Sequence, residues 1–148
     1  MEFYSIMIDH IDEKILSELK HNAKQTTGTI AKRTGIPTTT VHNRIKRMEK
    51  ERVIRSYRPV IDYQKIGLQI HAIVFVSAEQ KTDQEHLAKK LLHLPGIERA
   101  QILTGSFDLL LDVKAKSIDE LNELVVKELR KINGIAHTQT MIVLQELE

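Results

Sequence analysis

The chain repeats part of itself at an offset of 38 residues, and few folds accommodate such a repeat. Leu87 corresponds to Val125, Leu91 to Leu129, Leu94 to Ile132, Gly96 to Gly134, Ile97 to Ile135 and Gln101 to Gln139. In each copy a helical stretch ends at Pro95-Gly96-Ile97 or Asn133-Gly134-Ile135, and a strand begins there. A repeat of one helix and its flanking strands describes a pair of βαβ units.

The periodicities around the repeat complete the pair. Ile70 to Ala78 reads as a strand with Ile70, Ala72, Val74 and Val76 on one face. Asp83 to Leu94 reads as a helix burying Leu87, Leu91 and Leu94, and Ile97 to Thr104 as a strand. Asp108 to Ala115 alternates cleanly, with Leu109, Leu111, Val113 and Ala115 on one side. Ser117 to Ile132 reads as a helix using Ile118, Leu121, Leu124, Val125 and Leu129, and Ile135 to Leu144 as the last strand. The order βαββαβ predicts a ferredoxin-like, four-stranded antiparallel sheet with both helices on one face. The opposite face would carry Ile73, Phe75, Leu103 and Met141, an open apolar surface that predicts self-association.

The N-terminal part has helical rather than strand periodicity. Ile8, Ile11, Ile15, Leu16 and Leu19 mark a helix over Asp9 to Asn22, with Asp9 as N-cap and Asp12 in its first turn. A short helix starts at Thr26 or Thr27, carries Ile30 and Ala31, and ends near Gly35. A third helix spans about Pro37 to Glu51 and buries Val41, Ile45 and Met48. Three helices with a tight turn between the second and third predict a helix-turn-helix of winged-helix-like type. Val53 to Tyr63, which contains Pro59, reads as an extended linker strand. The fold class is therefore α+β: a helix-turn-helix domain over 1–52, a linker strand over 53–66 and a ferredoxin-like domain over 67–148.

Charge separates the same two parts. The chain of 148 residues has a formal net charge of +2, but Lys32 to Arg58 holds nine Lys and Arg against two Asp and Glu. Residues 59–148 hold ten against thirteen. A basic N-terminal third facing a polyanion is the natural reading. The absence of cysteine excludes disulfides and thiolate metal sites, and no run reaches the roughly 18 apolar residues of a membrane span. With Glu2, Asp9 and Asp12 interrupting any signal-like start, a cytoplasmic location is expected.

The ordered motifs resemble the Lrp/AsnC (feast/famine) family of prokaryotic regulators over about Ile8 to Leu147. The carriers are Ile8-Asp9-His10-Ile11-Asp12, Ile15-Leu16, Ile30-Ala31, Gly35-Ile36, Thr40-Val41, Arg44-Ile45 and Gly67. Pro95-Gly96-Ile97, Thr104-Gly105-Ser106-Phe107-Asp108 and Gly134-Ile135 continue the series. The resemblance implies a transcription regulator acting as a homodimer, often assembled into octamers. It further implies linker strands that pair between subunits and a sheet domain that binds an amino acid or similar effector. Pro37 departs from the family, which often has Ser at the N-cap of this helix, and Thr38 is the residue expected to take over the cap.

Binding to double-stranded DNA needs phosphate neutralisation and side chains at base edges. With Val41, Ile45 and Met48 inward, Thr38, Thr39, His42 and Asn43 are the candidates for base contacts near the helix N-terminus. Lys46, Arg47 and Lys50 are placed towards phosphates, and Arg44, at the edge of the stripe, is a candidate either to contact phosphate or to pack its stem. Thr26 and Thr27 offer backbone N–H groups to phosphate at the start of the second helix. Read from its residues, Thr104-Gly105-Ser106-Phe107-Asp108 is a hairpin loop with Gly at a special φ. The resemblance makes it an effector site in which Asp108 meets a ligand ammonium, with Thr138 and Thr140 adding hydroxyls.

Two other functions fit the same architecture. One is a nucleoid organiser that binds DNA with little sequence preference and no effector. The other is an enzyme like the sirohaem decarboxylases, for which His71, His93 or His137 would contact haem. Seven scattered histidines show no zinc-site spacing, and no nucleophile–base–acid set or phosphate-cradling loop is present. No cofactor, metal site or catalysis is therefore expected.

Overall fold

The computed structural model describes residues 7–146, so residues 1–6 and 147–148 of the two expected domains lie outside the described residues. The chain divides into two units, Met1–Val60 and Ile61–Glu148, and the boundary falls inside the 53–66 segment.

The first unit is three helices around Ile15, Ile30, Val41 and Met48, all fully buried. Helix α1 (His10–His21) starts in a reciprocal capping box. Asp9 Oδ1 accepts the amides of Ile11 and Asp12 at 3.0 Å each, and the Asp9 amide donates to Asp12 Oδ2 at 3.1 Å. Helix α2 (Thr27–Thr34) is capped by Thr26, whose Oγ1 accepts the Thr29 amide, and ends at Gly35 with φ +73°. Helix α3 (Thr38–Lys50) follows after three residues, Gly35, Ile36 and Pro37. Val41 and Met48 are fully buried, while Ile45 packs partly buried against them.

Two details differ from expectation. Pro37 itself occupies the N-cap of α3, with φ −55° and ψ 139°, and no side chain caps the helix. The fixed proline φ suits this position, and Thr38 becomes the first helical residue instead of the cap. Residues 53–63 form no strand: Val53 and Ile54 pack on the helical core, and Gln64–Ile66 is a single 3-10 turn. A strand exists through its ladder, and no described segment runs beside this one to supply the partner.

The second unit has the order β1 (Ile70–Ala78), α4 (Gln84–Leu91), β2 (Ile97–Ile102), β3 (Leu109–Ala115), α5 (Ile118–Asn122) and β4 (Ile135–Ile142). The strands are antiparallel in the order β2-β3-β1-β4. This is the ferredoxin-like arrangement that the repeat demands. Ala72, Val74 and Val76 of β1 and Leu109, Leu111, Val113 and Ala115 of β3 are buried against Leu87, Leu91, Leu121, Leu124 and Leu129 of the helical layer. Gly96 and Gly134, equivalent in the repeat, have φ +86° and +99°. Their carbonyls accept the amides of Lys114 and Glu79 at 2.8 and 2.9 Å, which docks each helix–strand turn onto the sheet.

The second helix is less regular than its periodicity predicts. After α5 the chain widens into a π-helical stretch, Glu123–Glu128, then tightens to a 3-10 turn, Leu129–Lys131. Ile118, expected in the buried stripe, is 53% exposed. It is the first helical residue after the Ser117 cap, and the first buried position of the helix is Leu121.

Candidate functional site

Helix α3 presents two faces. Val41 and Met48 point into the core, and His42, Asn43, Lys46 and Lys50 are exposed on the other side, as are Thr38 and Thr39 at its start. The spacing that buries i, i+4 and i+7 turns the intervening residues outward. Thr26 is exposed and Thr27 half-buried at the start of α2. The Thr26 hydroxyl is engaged, standing 3.0 Å from Thr29 Oγ1 besides capping the helix.

The two arginines of α3 have a different environment. Arg44 Nη1 donates to Asp9 Oδ2 at 2.6 Å and to Asp12 Oδ2 at 3.1 Å. Arg47 Nη2 donates to the same Asp12 oxygen at 2.5 Å, and its Nε stands 3.8 Å from Glu51 Oε2. Asp12 has no exposed surface, so this carboxylate requires its cationic partners. The Asp12 amide, and then the Arg44 guanidinium, hold the Asp9 carboxyl down to about 2. Lys46 and Lys50 form no ion pair among the described residues.

Sequence reasoning assigned Asp9 and Asp12 to helix capping and missed this pairing. Periodicity cannot reveal a contact between residues 32 and 35 positions apart. It also missed Tyr57, whose hydroxyl donates to Glu49 Oε1 at 2.8 Å and fastens the linker to α3. Burial and the neighbouring carboxylate push the Tyr57 phenol up to about 12.

The loop between β2 and β3 folds in two directions. Phe107 lies against Phe75 with ring centroids 5.0 Å apart, on the side of the sheet away from the helices. The Asp108 carboxylate turns towards α4: Oδ2 accepts the Ala78 amide and Oδ1 accepts Gln84 Nε2, both at 2.7 Å. Thr104, Gly105 and Ser106 are exposed at the tip. Thr138 and Thr140 pair with Val76 and Val74 across the sheet and so share the helix side with the Asp108 carboxylate, not the side of Phe107.

The face away from the helices carries Ile73, Phe75, Leu103 and Leu110, all half-buried, and Met141, 48% exposed. At one end lies a polar cluster. His71 Nε2 is 3.1 Å from Asp112 Oδ1 without hydrogen-bond alignment. Lys114 Nζ is 3.3 Å from the same oxygen and 4.9 Å from the centre of the Tyr63 ring.

The three histidines considered as haem contacts do not converge. His71 is near the start of β1, whereas His137 pairs with Ser77 near its other end, roughly 20 Å away at the rise of a strand. His93 follows α4, with Nδ1 2.7 Å from the Lys89 carbonyl. No group of three His, Cys, Asp or Glu that could hold a metal ion occurs among the described residues. None of the described helices is long and apolar enough to cross a membrane.

A three-helix unit with an outward-facing polar and basic third helix, joined to a ferredoxin-like α+β unit, defines a two-domain helix-turn-helix regulator. Residues 8–55 match the winged helix-turn-helix DNA-binding model, and residues 71–148 match the Lrp/AsnC ligand binding domain. The chain belongs to the Lrp/AsnC family of transcriptional regulators. An uncharacterized HTH-type transcriptional regulator of Pyrococcus horikoshii is 34% identical over 138 residues, 92% of each chain. Regulatory protein AsnC of Haemophilus influenzae is 28% identical over 138 residues, 93% of this chain and 92% of its own. The structure of E. coli AsnC aligns with a TM-score of 0.82 at 27% identity, covering 95% of this chain and 94% of that one.

Proposed function

We propose that the protein binds double-stranded DNA as a homodimer or higher oligomer, placing one copy of α3 from each subunit in the major groove. Thr38, Thr39, His42 and Asn43 meet base edges. Lys46 and Lys50, with the start of α2 at Thr26 and Thr27, meet phosphates. The observation that carries this reading is the single exposed face formed by His42, Asn43, Lys46 and Lys50 opposite buried Val41 and Met48. Asn pairs bidentately with adenine, and unpaired lysines neutralise phosphates. The open apolar face around Phe75, Ile73 and Met141 supports self-association, because exposed sheet faces of this kind meet a partner.

The second domain responds to an amino acid or a related small molecule at the 104–108 loop, with Asp108 taking the ammonium group. The match to a ligand-binding domain over 71–148 supports this reading. An ammonium would have to join or displace the Ala78 amide and Gln84 Nε2 on the Asp108 carboxylate. The protein acts by binding and carries out no reaction. Its relatives are named as regulators, and its histidines do not gather.

The test is to sequence genomic fragments selected by the purified protein, with and without a panel of amino acids. A compact motif, shifted in occupancy by one class of amino acid, is expected. Enrichment of no motif would favour the organiser reading instead.

A further inference from the structure

The basic face of α3 is less basic than its sequence. It carries Arg44, Lys46, Arg47 and Lys50, yet both arginines are held by carboxylates at the start of α1. Asp12 Oδ2 alone receives the Asp9 amide, Arg44 Nη1 and Arg47 Nη2. The arginine side chains are still 25% and 37% exposed, so they reach the surface that DNA would approach. The Asp9 side chain is 42% exposed, beside Arg44. A phosphate arriving at α3 therefore competes with carboxylates for the same guanidinium N–H groups.

We infer that Asp9 and Asp12 withhold Arg44 and Arg47 from DNA phosphates and so set the sequence-independent affinity of the helix-turn-helix. This rests on α3 being the DNA-facing helix. Each cation that reaches a phosphate steepens the salt dependence and strengthens binding to any sequence. Each one held by α1 contributes rigidity to the helix pair instead. Asp12 is the fixed anchor, because it has no access to solvent, and Asp9 is the partner that can be exchanged.

The test is titration of a random-sequence duplex over a range of salt concentrations. Asp9→Asn keeps a side chain that caps helices as well as Asp does, and circular dichroism checks that the fold survives. The expected result is affinity raised about threefold or more at moderate salt, with the slope of log K against log salt steeper by up to about 0.9 per helix-turn-helix engaged, since Asp12 still competes for Arg44. Loss of a negative charge near DNA would also tighten binding without freeing Arg44, so the cycle includes Arg44→Gln. The gain from Asp9→Asn should vanish in the Arg44→Gln background; a gain that persists there refutes the withholding. Lys46→Gln, which should flatten the slope, separates the two levels of the argument. If it does so while Asp9→Asn changes nothing, the withholding alone fails. If neither variant changes the slope, α3 is not at the DNA and both readings fail.

Discussion

Arg47 Nη2 lies 2.5 Å from Oδ2 of Asp12, a carboxylate with no exposed surface, so the helix proposed to meet DNA is fastened to the first helix through a buried charge. Asp12→Ala leaves two guanidinium groups and the Asp9 amide without their shared acceptor. A loss of about 2 kcal/mol is expected, since the arginines can partly turn to water. Urea unfolding followed by helical circular dichroism measures it.

The same corner gives the first unit an acid limit. Asp9 is held at about 2 against an ordinary value of 3.8, by the Asp12 amide first and then by Arg44. Its folded-state pKa is depressed, so its contribution is complete above pH 4 to 5 and is lost as pH falls from about 4 towards 2. The thermal midpoint should drop over that window. The difference between wild type and Asp9→Asn should shrink as the wild-type carboxyl protonates.

Base reading and phosphate binding should separate by residue. Asn43→Ala is expected to weaken discrimination at one base pair by about 1–3 kcal/mol while leaving the salt slope alone. Lys46→Gln is expected to reduce the slope by about 0.9 per helix-turn-helix engaged and leave sequence preference intact. Fluorescence anisotropy on matched and mismatched duplexes at several salt concentrations distinguishes the two.

The glycines of the second unit should not be equivalent. A Cβ at Gly96 would meet the Lys114 carbonyl oxygen at 2.8 Å, and φ there is +86°. A Cβ at Gly105 would find nothing within 4 Å, although φ is +118°. Gly105→Ala is expected to cost about 1–2 kcal/mol from backbone strain alone. Gly96→Ala should cost clearly more, because it must also push away a backbone carbonyl of β3, the strand onto which the Gly96 turn docks. Differential scanning calorimetry of the two variants tests the order.

Much of this architecture was legible because it follows from period and repetition. The alternation of Leu109, Leu111, Val113 and Ala115 fixed the inner face of β3, and all four are buried. Asp9 caps α1 as its sequence predicts, and Thr26, Asp83 and Ser117, read as helix starts, prove to be the caps, one residue before each helix begins. What could not be read depends on contacts between distant positions. Nothing local marks Arg47 as the partner of Asp12, or Gln84 as the donor that occupies Asp108. The linker 53–63 has a strand-like pattern, but pattern supplies no ladder. Arg47 illustrates the cost of reading exposure from the helical wheel alone: it lies outward, as expected, yet its charge is already engaged.

The wide turn at Glu123–Glu128 gives the second helix one residue of slack. Leu124 and Leu129, five positions apart, are both buried, although a regular α-helix would separate them by about 140°. Excising exposed Val126 would set them four apart and let the stretch rewind as ordinary α-helix. Such a deletion is expected to leave the melting temperature nearly unchanged, whereas removing Ala88 from α4 would rotate Leu91 out of the core. The helix thus holds a reserve of length, and the strand that follows can keep its register when one codon is lost within that stretch.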